Sequence, residues 1–295
     1  METLFHETIS SSTIITLGAL GGLMTSLSGK LNIGLEGLIL ISAFLSPYFA
    51  HITGSVLAGT VLSLTITVCF SVFIYLLHDL FKADIFITGL ATNLFAAGFT
   101  AFLSSTLMHS KGTVRFSGFE TVTSYDLPLL SEIPFIGVLF QQQNTFDYLT
   151  VLLIVLMYVL IKKTTFGLHI KATGLNERTA ESAGINPRRM HYTAYVICGL
   201  FCGLAGSAMT LPLGAFVGGM AGGRGWIALV AVVLGRNNPL GVFAASIIFG
   251  FSAALSNLFQ VNTSISPKLL MTIPFMITLL ALILYSAKKQ KEKEE

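Results

Sequence analysis

Apolar residues run along this chain in blocks that are long for a soluble core, separated by short polar breaks. A helix crossing the hydrocarbon core of a bilayer needs about 20 mostly apolar residues. Nine blocks approach that length, near 11–28, 35–52, 54–78, 85–108, 147–162, 191–212, 225–236, 239–260 and 267–286. The pattern predicts an all-α integral membrane protein with a single transmembrane domain over 1–295. About nine spanning helices are expected, within a range of eight to ten. The seventh block is short and flanked by glycines, so it reads as a broken or partly inserted helix. The N-terminal METLFHETIS is acidic and lacks the basic region and small-residue cleavage site of a signal peptide. The first block is therefore expected to remain as a membrane helix.

The polar breaks set the expected orientation, because Lys and Arg concentrate on the cytoplasmic side. The 163–190 loop, with Lys162 at its edge, contains Lys163, Lys171, Arg178, Arg188 and Arg189. The tail, 287–295, carries Lys288, Lys289, Lys291 and Lys293. Both are expected in the cytoplasm. The 109–146 loop has only Lys111 and Arg115 against Glu120, Asp126 and Glu132, and is expected outside. Nine spans satisfy all three placements, with Lys30, Lys82 and Arg236 inside.

Composition sharpens this reading. Hydrophobic residues make up 53% and charged residues 11%, against about 25% charged in soluble domains. Mean hydropathy is +0.79. The net charge of +3 is too small to argue for a nucleic-acid partner. Cys69, Cys198 and Cys202 all sit in apolar runs, which suits packed thiols better than a disulfide framework or a zinc site. No His/Asp/Glu cluster has metal-ligand spacing. No nucleophile has a base partner in view, so no catalytic residue is assigned. His51, His78 and His191 read as isolated interfacial residues.

Two pairs of segments repeat. GLEGLI (34–39) resembles GGRGWI (222–227), and GALGGLMTS (18–26) resembles GLFCGLAGS (199–207). On a nine-span topology the copies run in opposite senses, which is the inverted repeat found in many transporters. Arg224 aligns with Glu36 in that repeat. The two are then expected near opposite faces, without a direct ion pair. GLFCG (199–203) also fits a close helix-packing face.

The most polar stretch is GLNERTAESAGINPRRM (174–190). Asn176 is a good N-cap, Glu177 complements the helix dipole, and Gly184 suits a left-handed C-terminal position. Pro187 is expected to prevent the helix from resuming nearby. A helix about 10 Å long results, too short to span a bilayer. Ala180, Ala183 and Ile185 give it a small apolar surface. Either it is a solvated loop with a short helix, or it docks a cytoplasmic partner.

Polar residues inside the spans mark a candidate path. Glu36 is the only acid between Glu7 and Asp79. Asn32 shares its face if the segment is helical, and Gly34 and Gly37 allow a break there. The alternative is that Glu36 caps the second helix. Thr88 and Asn93 could face a path or make interhelical hydrogen bonds. Arg224, in GGMAGGRGW (218–226), lies either in a gate or at an interfacial helix end. SGKL (28–31) is only a fragment of a phosphate-binding loop, so ATP hydrolysis is not expected from this chain.

FGLHIKATGLNERTAESAGINPRRMHYTAYVICGLFCGLAGSAM (166–209) resembles the cytoplasmic loop and following helix of binding-protein-dependent ABC importer permeases. LSGKLNIGLEGLILISAF (27–44), GGRGWIALVAVVLGRNNPLGVFAASIIFGFSAAL (222–255) and PKLLMTIPFMITLL (267–280) are similar to other parts of such proteins. The nearest branch is that of simple sugars and nucleosides, related to the ribose and branched-chain amino acid permeases. Loop 109–146 matches least.

The resemblance implies a vitamin-B12-importer-like (type II) fold in the bacterial inner membrane. It implies a second permease subunit, a cytoplasmic ABC ATPase that carries ATP and Mg, and an extracytoplasmic substrate-binding protein. It makes 174–186 the coupling helix, with Gly174, Asn176, Ala180, Ala183, Gly184 and Ile185 matching the motif and Glu177 beside them. A nucleoside is the expected cargo, with a simple sugar or a vitamin such as riboflavin as alternatives. The competing class is an ion-coupled secondary transporter, which usually needs acids in mid-span. An intramembrane enzyme would need a catalytic pair.

Overall fold

The computed structural model describes residues 2–110, 112–125, 143–262, 267–270, 272–281 and 283. The helices are α1 (Glu2–Leu27), α2 (Leu35–Thr53), α3 (Val56–Phe81), α4 (Ile85–Leu107), α5 (Thr145–Lys163) and α6 (Thr165–Leu175). They continue with α7 (Glu177–Ser182), α8 (Pro187–Thr210), α9 (Arg224–Leu234), α10 (Pro239–Asn262) and α11 (Pro267–Leu270). A further helical run covers 273–281. Among the described residues seven helices are long and apolar enough to cross a membrane: α1, α2, α3, α4, α5, α8 and α10. α9 has 11 residues and is shorter, as its glycine-bounded block predicts. The block at 267–286 is described only in part, and the tail at 287–295 lies outside the described residues.

The fold is not purely helical. Strand β1 (Thr113–Arg115) pairs antiparallel with β4 (Ala215–Val217), and β2 (Ser124–Tyr125) pairs with β3 (Gln143–Asn144). These ladders pair backbone groups that lie outside the helices. The first ties the 109–146 loop to the connection after α8.

The basic residues of 163–190 and Lys30 gather at one end of the bundle, called here the basic end. At the core, α1 is buried between α2, α8, α9 and α10. Small residues let the backbones approach. A β-carbon on Gly18 would lie 3.1 Å from Ile39 and 3.4 Å from Ala228, and one on Gly22 would meet Leu35 and Val232. Moving along α1, the contacts thus descend α2 and ascend α9, so α2 and α9 run in opposite directions. Gly199 and Gly203 press α8 onto Val68 and Leu64 of α3, which is the packing that GLFCG predicts. Hydroxyls bind α3 to its neighbours, Ser63 to Ser42 of α2 and Ser71 to the Tyr195 carbonyl of α8.

The outer faces of α3, α4 and α5 expose leucine, valine and phenylalanine, including Leu57, Leu94, Phe102 and Leu152. Such faces suit lipid contact, because the hydrocarbon core is as apolar as leucine.

Candidate coupling and translocation site

The 163–190 loop folds into two short helices, α6 and then α7, the second being the one that the caps of the polar stretch predict. Thr164 caps α6, its hydroxyl accepting the Gly167 amide at 3.3 Å. Asn176 caps α7 through the Thr179 amide at 3.1 Å. Gly184 adopts φ +80°, closing α7. Asn186 then caps α8 at the Arg189 amide, and Pro187 stands in the first turn of α8. The proline therefore starts a helix instead of preventing one, because its missing N–H is an orphan at that position anyway.

α7 is fastened from beneath. Lys30 Nζ lies 3.2 Å from Glu177 Oε1, and His191 Nε2 lies 3.4 Å from the same oxygen. Burial opposes the Glu177 charge, but the Lys30 hydrogen bond, the Lys30 charge and His191 outweigh it and hold the carboxyl below its ordinary value. His191 is buried, not interfacial, and its ring packs on Tyr75. Tyr75 also meets the rings of His78, Tyr192 and Tyr195. Beside them Asp79 accepts Arg188 Nε at 2.6 Å and the Tyr192 hydroxyl at 3.0 Å. A cavity of about 580 Å³ opens there, lined by Asp79, Glu177, Arg178, Glu181 and Arg188.

Gly174 is explained by the backbone it meets. A β-carbon there would stand 2.1 Å from the Leu27 carbonyl oxygen and 3.0 Å from the Gly29 nitrogen. The α6–α7 pair thus rests on the α1–α2 connection. Ala180 is buried at 3% exposure, so it supports the loop and offers no outer surface. Ala183 and Gly184 are exposed, and Ile185 is half-buried. Leu175, which the sequence reading passed over, is 88% exposed at the tip.

The second cluster lies inside the bundle, where the start of α2 meets the start of α9. Glu36 Oε1 accepts the Gly223 amide at 2.8 Å, and Oε2 accepts the Gly225 amide at 2.7 Å. This overturns the expectation that positions 36 and 224 lie near opposite faces. The cause is that both helices begin within the bundle and run apart from a shared junction. No direct Glu36–Arg224 ion pair forms among the described residues. Two amide donors at a helix N-terminus offset the cost of placing a carboxylate there.

Two of the other path candidates, Asn32 and Asn93, turn toward the backbone of the same break. Asn32 is fully buried; its Oδ1 accepts the Gly34 amide and its Nδ2 approaches Cys198 Sγ at 3.5 Å. Asn93 accepts the Gly37 amide at 2.7 Å and donates to the Ile33 carbonyl at 3.1 Å. Thr88 donates to the Asp84 carbonyl within its own helix. One guanidinium nitrogen of Arg224 donates to the Met220 carbonyl at 2.9 Å. Its buried Nε has no hydrogen-bond partner among the described residues. Arg224 lines a cavity of about 470 Å³ together with His6, Glu7, Ser10, Ser11 and Asn257. Asn257 donates to Glu7 there at 3.2 Å.

The model of the family described as "Branched-chain amino acid transport system / permease component" matches residues 4–282. A guanosine ABC transporter permease protein of Bacillus subtilis is 34% identical over 91% of this chain and 87% of its own length. A nucleoside ABC transporter permease protein of Lactococcus lactis is 27% identical over 94% of this chain and 90% of its own. A putative glucose ABC transporter permease protein of Haloferax volcanii is 27% identical over 95% of this chain and 90% of its own. A solved structure, PsaBC from Streptococcus pneumoniae in complex with Fab, covers 94% of this chain at a TM-score of 0.47 and 15% identity, too distant to fix the fold. The chain belongs to the branched-chain amino acid transport system permease family, as a multi-pass inner-membrane permease of an ABC transporter.

Proposed function

We propose that this chain forms the translocation path of a nucleoside importer and takes its energy from a separate cytoplasmic ATPase seated on α6–α7. The observation that carries the cargo is the near-full-length similarity to the guanosine and nucleoside permeases. The observation that carries the coupling is the contrast within α6–α7. Glu177 and Ala180 face the chain's own helices, while Leu175, Ala183 and Gly184 stand outward. Leu175, exposed on the loop outside any candidate span, is on this reading buried against the ATPase, where removing its apolar surface from water favours binding. On this reading 163–190 is cytoplasmic and 109–146 external. ATP and Mg bind the partner ATPase, a second permease completes the path, and an external binding protein delivers the solute.

The same reading includes nine spans and a vitamin-B12-importer-like plan. The opposed directions of α2 and α9, each opening at a matched glycine-rich segment, support an inverted repeat. The 470 Å³ cavity at Arg224 lies at the end away from α7 and offers donors and acceptors to a polar solute.

Reconstitution tests this. Proteoliposomes holding the permeases and ATPase, supplied with the binding protein, are expected to take up radiolabelled guanosine with ATP inside. Unlabelled nucleosides should compete and glucose should not. Competition by glucose alone would make the chain a sugar permease, the cargo class of the Haloferax relative. Uptake abolished by a protonophore while ATP is maintained would overturn ATP coupling.

A further inference from the structure

We propose that residues 27–36 act as a brace that ties α7 to the first turn of α9, so that a displacement of α7 moves the α9 N-terminus and Arg224 with it. The proposal rests on the reading that α7 receives an ATPase, and it adds Lys30 and Glu36 as positioning residues for transport.

The first end of the brace lies under α7. The Gly174 backbone is pressed onto Leu27 and Gly29 with no room for a β-carbon, so inward motion is passed on by steric contact. The Lys30–Glu177 pair passes on outward motion. The Tyr195 hydroxyl of α8 donates to the Lys30 carbonyl at 3.1 Å and seats the segment against α8. Contact resists compression and attraction resists separation, so the joint follows α7 in both directions.

The middle of the brace is pinned although it is not helical. The Gly29 and Lys30 amides donate back to the Ser26 and Thr25 carbonyls. The Asn32 amide donates to the Thr25 hydroxyl, the Gly34 amide to the Asn32 side chain, and Asn93 holds the Ile33 carbonyl. A segment whose polar groups are satisfied internally has few soft torsions left, and a push at Lys30 reaches Glu36.

The second end is the Glu36 carboxylate on the Gly223 and Gly225 amides. The far end of α9 is held separately, by the Ser26 hydroxyl donating to Asn237 Oδ1 at 2.9 Å. With that end fixed near α1, motion of Glu36 tilts α9 about Asn237. The residue swept by the tilt is Arg224, which faces the 470 Å³ cavity. Sequence separation hides this path, because 30, 36, 177 and 224 sit on four different elements.

The test uses the assembled transporter in nanodiscs with Lys30→Glu, Glu177→Lys and the double swap. Two quantities are read: guanosine imported per ATP hydrolysed in matched proteoliposomes, and amide exchange over 223–227. Each single swap is expected to lower the transport ratio and speed exchange at 223–227 by about threefold or more, and the double swap to restore both to within about twofold. Faster exchange confined to 177–183, or assembled single swaps with an unchanged ratio, would overturn the brace. Lys30→Gln and Glu177→Gln carry the same comparison if a swap fails to assemble. The exchange readout needs no cargo. Wild-type complex that shows the exchange pattern but imports no guanosine would refute the nucleoside reading and leave the brace standing.

Discussion

Glu36 and Gly225 are locked together: the Glu36 carboxylate accepts the Gly225 amide at 2.7 Å, and a β-carbon at 225 would stand 2.4 Å from the Glu36 nitrogen. One carboxylate thereby satisfies two amides at the N-terminus of a helix that begins against the start of α2. The absence of a side chain at 225 and the presence of a charge at 36 are two halves of one joint.

Glu36→Gln should keep one acceptor for α9 and lose both the second and the charge. Removing a charged hydrogen bond costs about 1.5–3 kcal/mol. The variant is expected to assemble, since Asn32 and Asn93 still hold the break, but to import at about a tenth of the normal rate or less. Uptake kinetics with blotted complex yield check this, and unchanged kinetics would reduce Glu36 to a cap without consequence.

Gly225→Ala should destabilise the protein, because the three nearest atoms, Glu36 N, Cα and Cβ, cannot swing away. The expected loss is about 1–3 kcal/mol, as for other overpacked sites. Gly98→Ala is the matched control: nothing lies within 4 Å of a β-carbon there. It lies within α4, so the exchange should raise stability by roughly 0.5–1 kcal/mol. Thermal unfolding in detergent separates the two, and equal effects would mean that the Glu36 contact is not tight.

Seven of the nine expected spans, the short helix α9 and the caps at Asn176 and Gly184 were legible in the chain, because each rests on local periodicity or on one residue's backbone preference. α6 was not, since FGLHIKATG carries two glycines and no clean apolar stripe; Thr164 as its cap was the available signal. The Glu36 junction was legible as a polar residue between glycines but not as a contact. Nothing local to 36 shows that α9 starts at the same depth. His191 looked isolated for the same reason: Glu177 and Tyr75 reach it only through tertiary packing. Ala180 and Ala183 read alike in sequence, and only the turn at Ile185, whose amide bonds the Ala180 carbonyl at 3.0 Å, separates a buried alanine from an exposed one.

That separation gives a prediction with a built-in contrast. Ala183→Glu should leave the permease folded and weaken ATPase capture, whereas Ala180→Glu should disrupt the loop itself. Leu175→Ser removes an exposed leucine whose burial against a partner is worth about 1.5–3 kcal/mol, so ATPase affinity should fall by tenfold or more. Pull-down of the ATPase by purified permease, with unfolding temperature as the second reading, tests all three. Full capture by Leu175→Ser and Ala183→Glu would remove α6–α7 as the docking surface.

The Glu177 tether should also depend on pH in a defined direction. Its carboxyl lies below the ordinary value of 4.5, because Lys30 and His191 together outweigh the opposing burial. A lowered folded value means that the tether's contribution is fully present above 4.5, erodes as pH falls through that value, and is gone below the folded one. The pair is half-exposed, so the amount at stake is at most about 1 kcal/mol, and salt should reduce it. Between pH 8 and 6 the α7 amides should therefore exchange at a rate set by base catalysis alone, with no added opening. Toward pH 4 an extra opening should appear in 177–183. Neighbouring charges complicate any single trace, since His191 and the Arg188–Asp79 pair lie beside Glu177. Glu177→Gln isolates the effect: it should exchange faster at neutral pH and show no added opening on acidification. If wild type and Glu177→Gln open alike at every pH, Lys30 and Glu177 are neighbours without a tether between them.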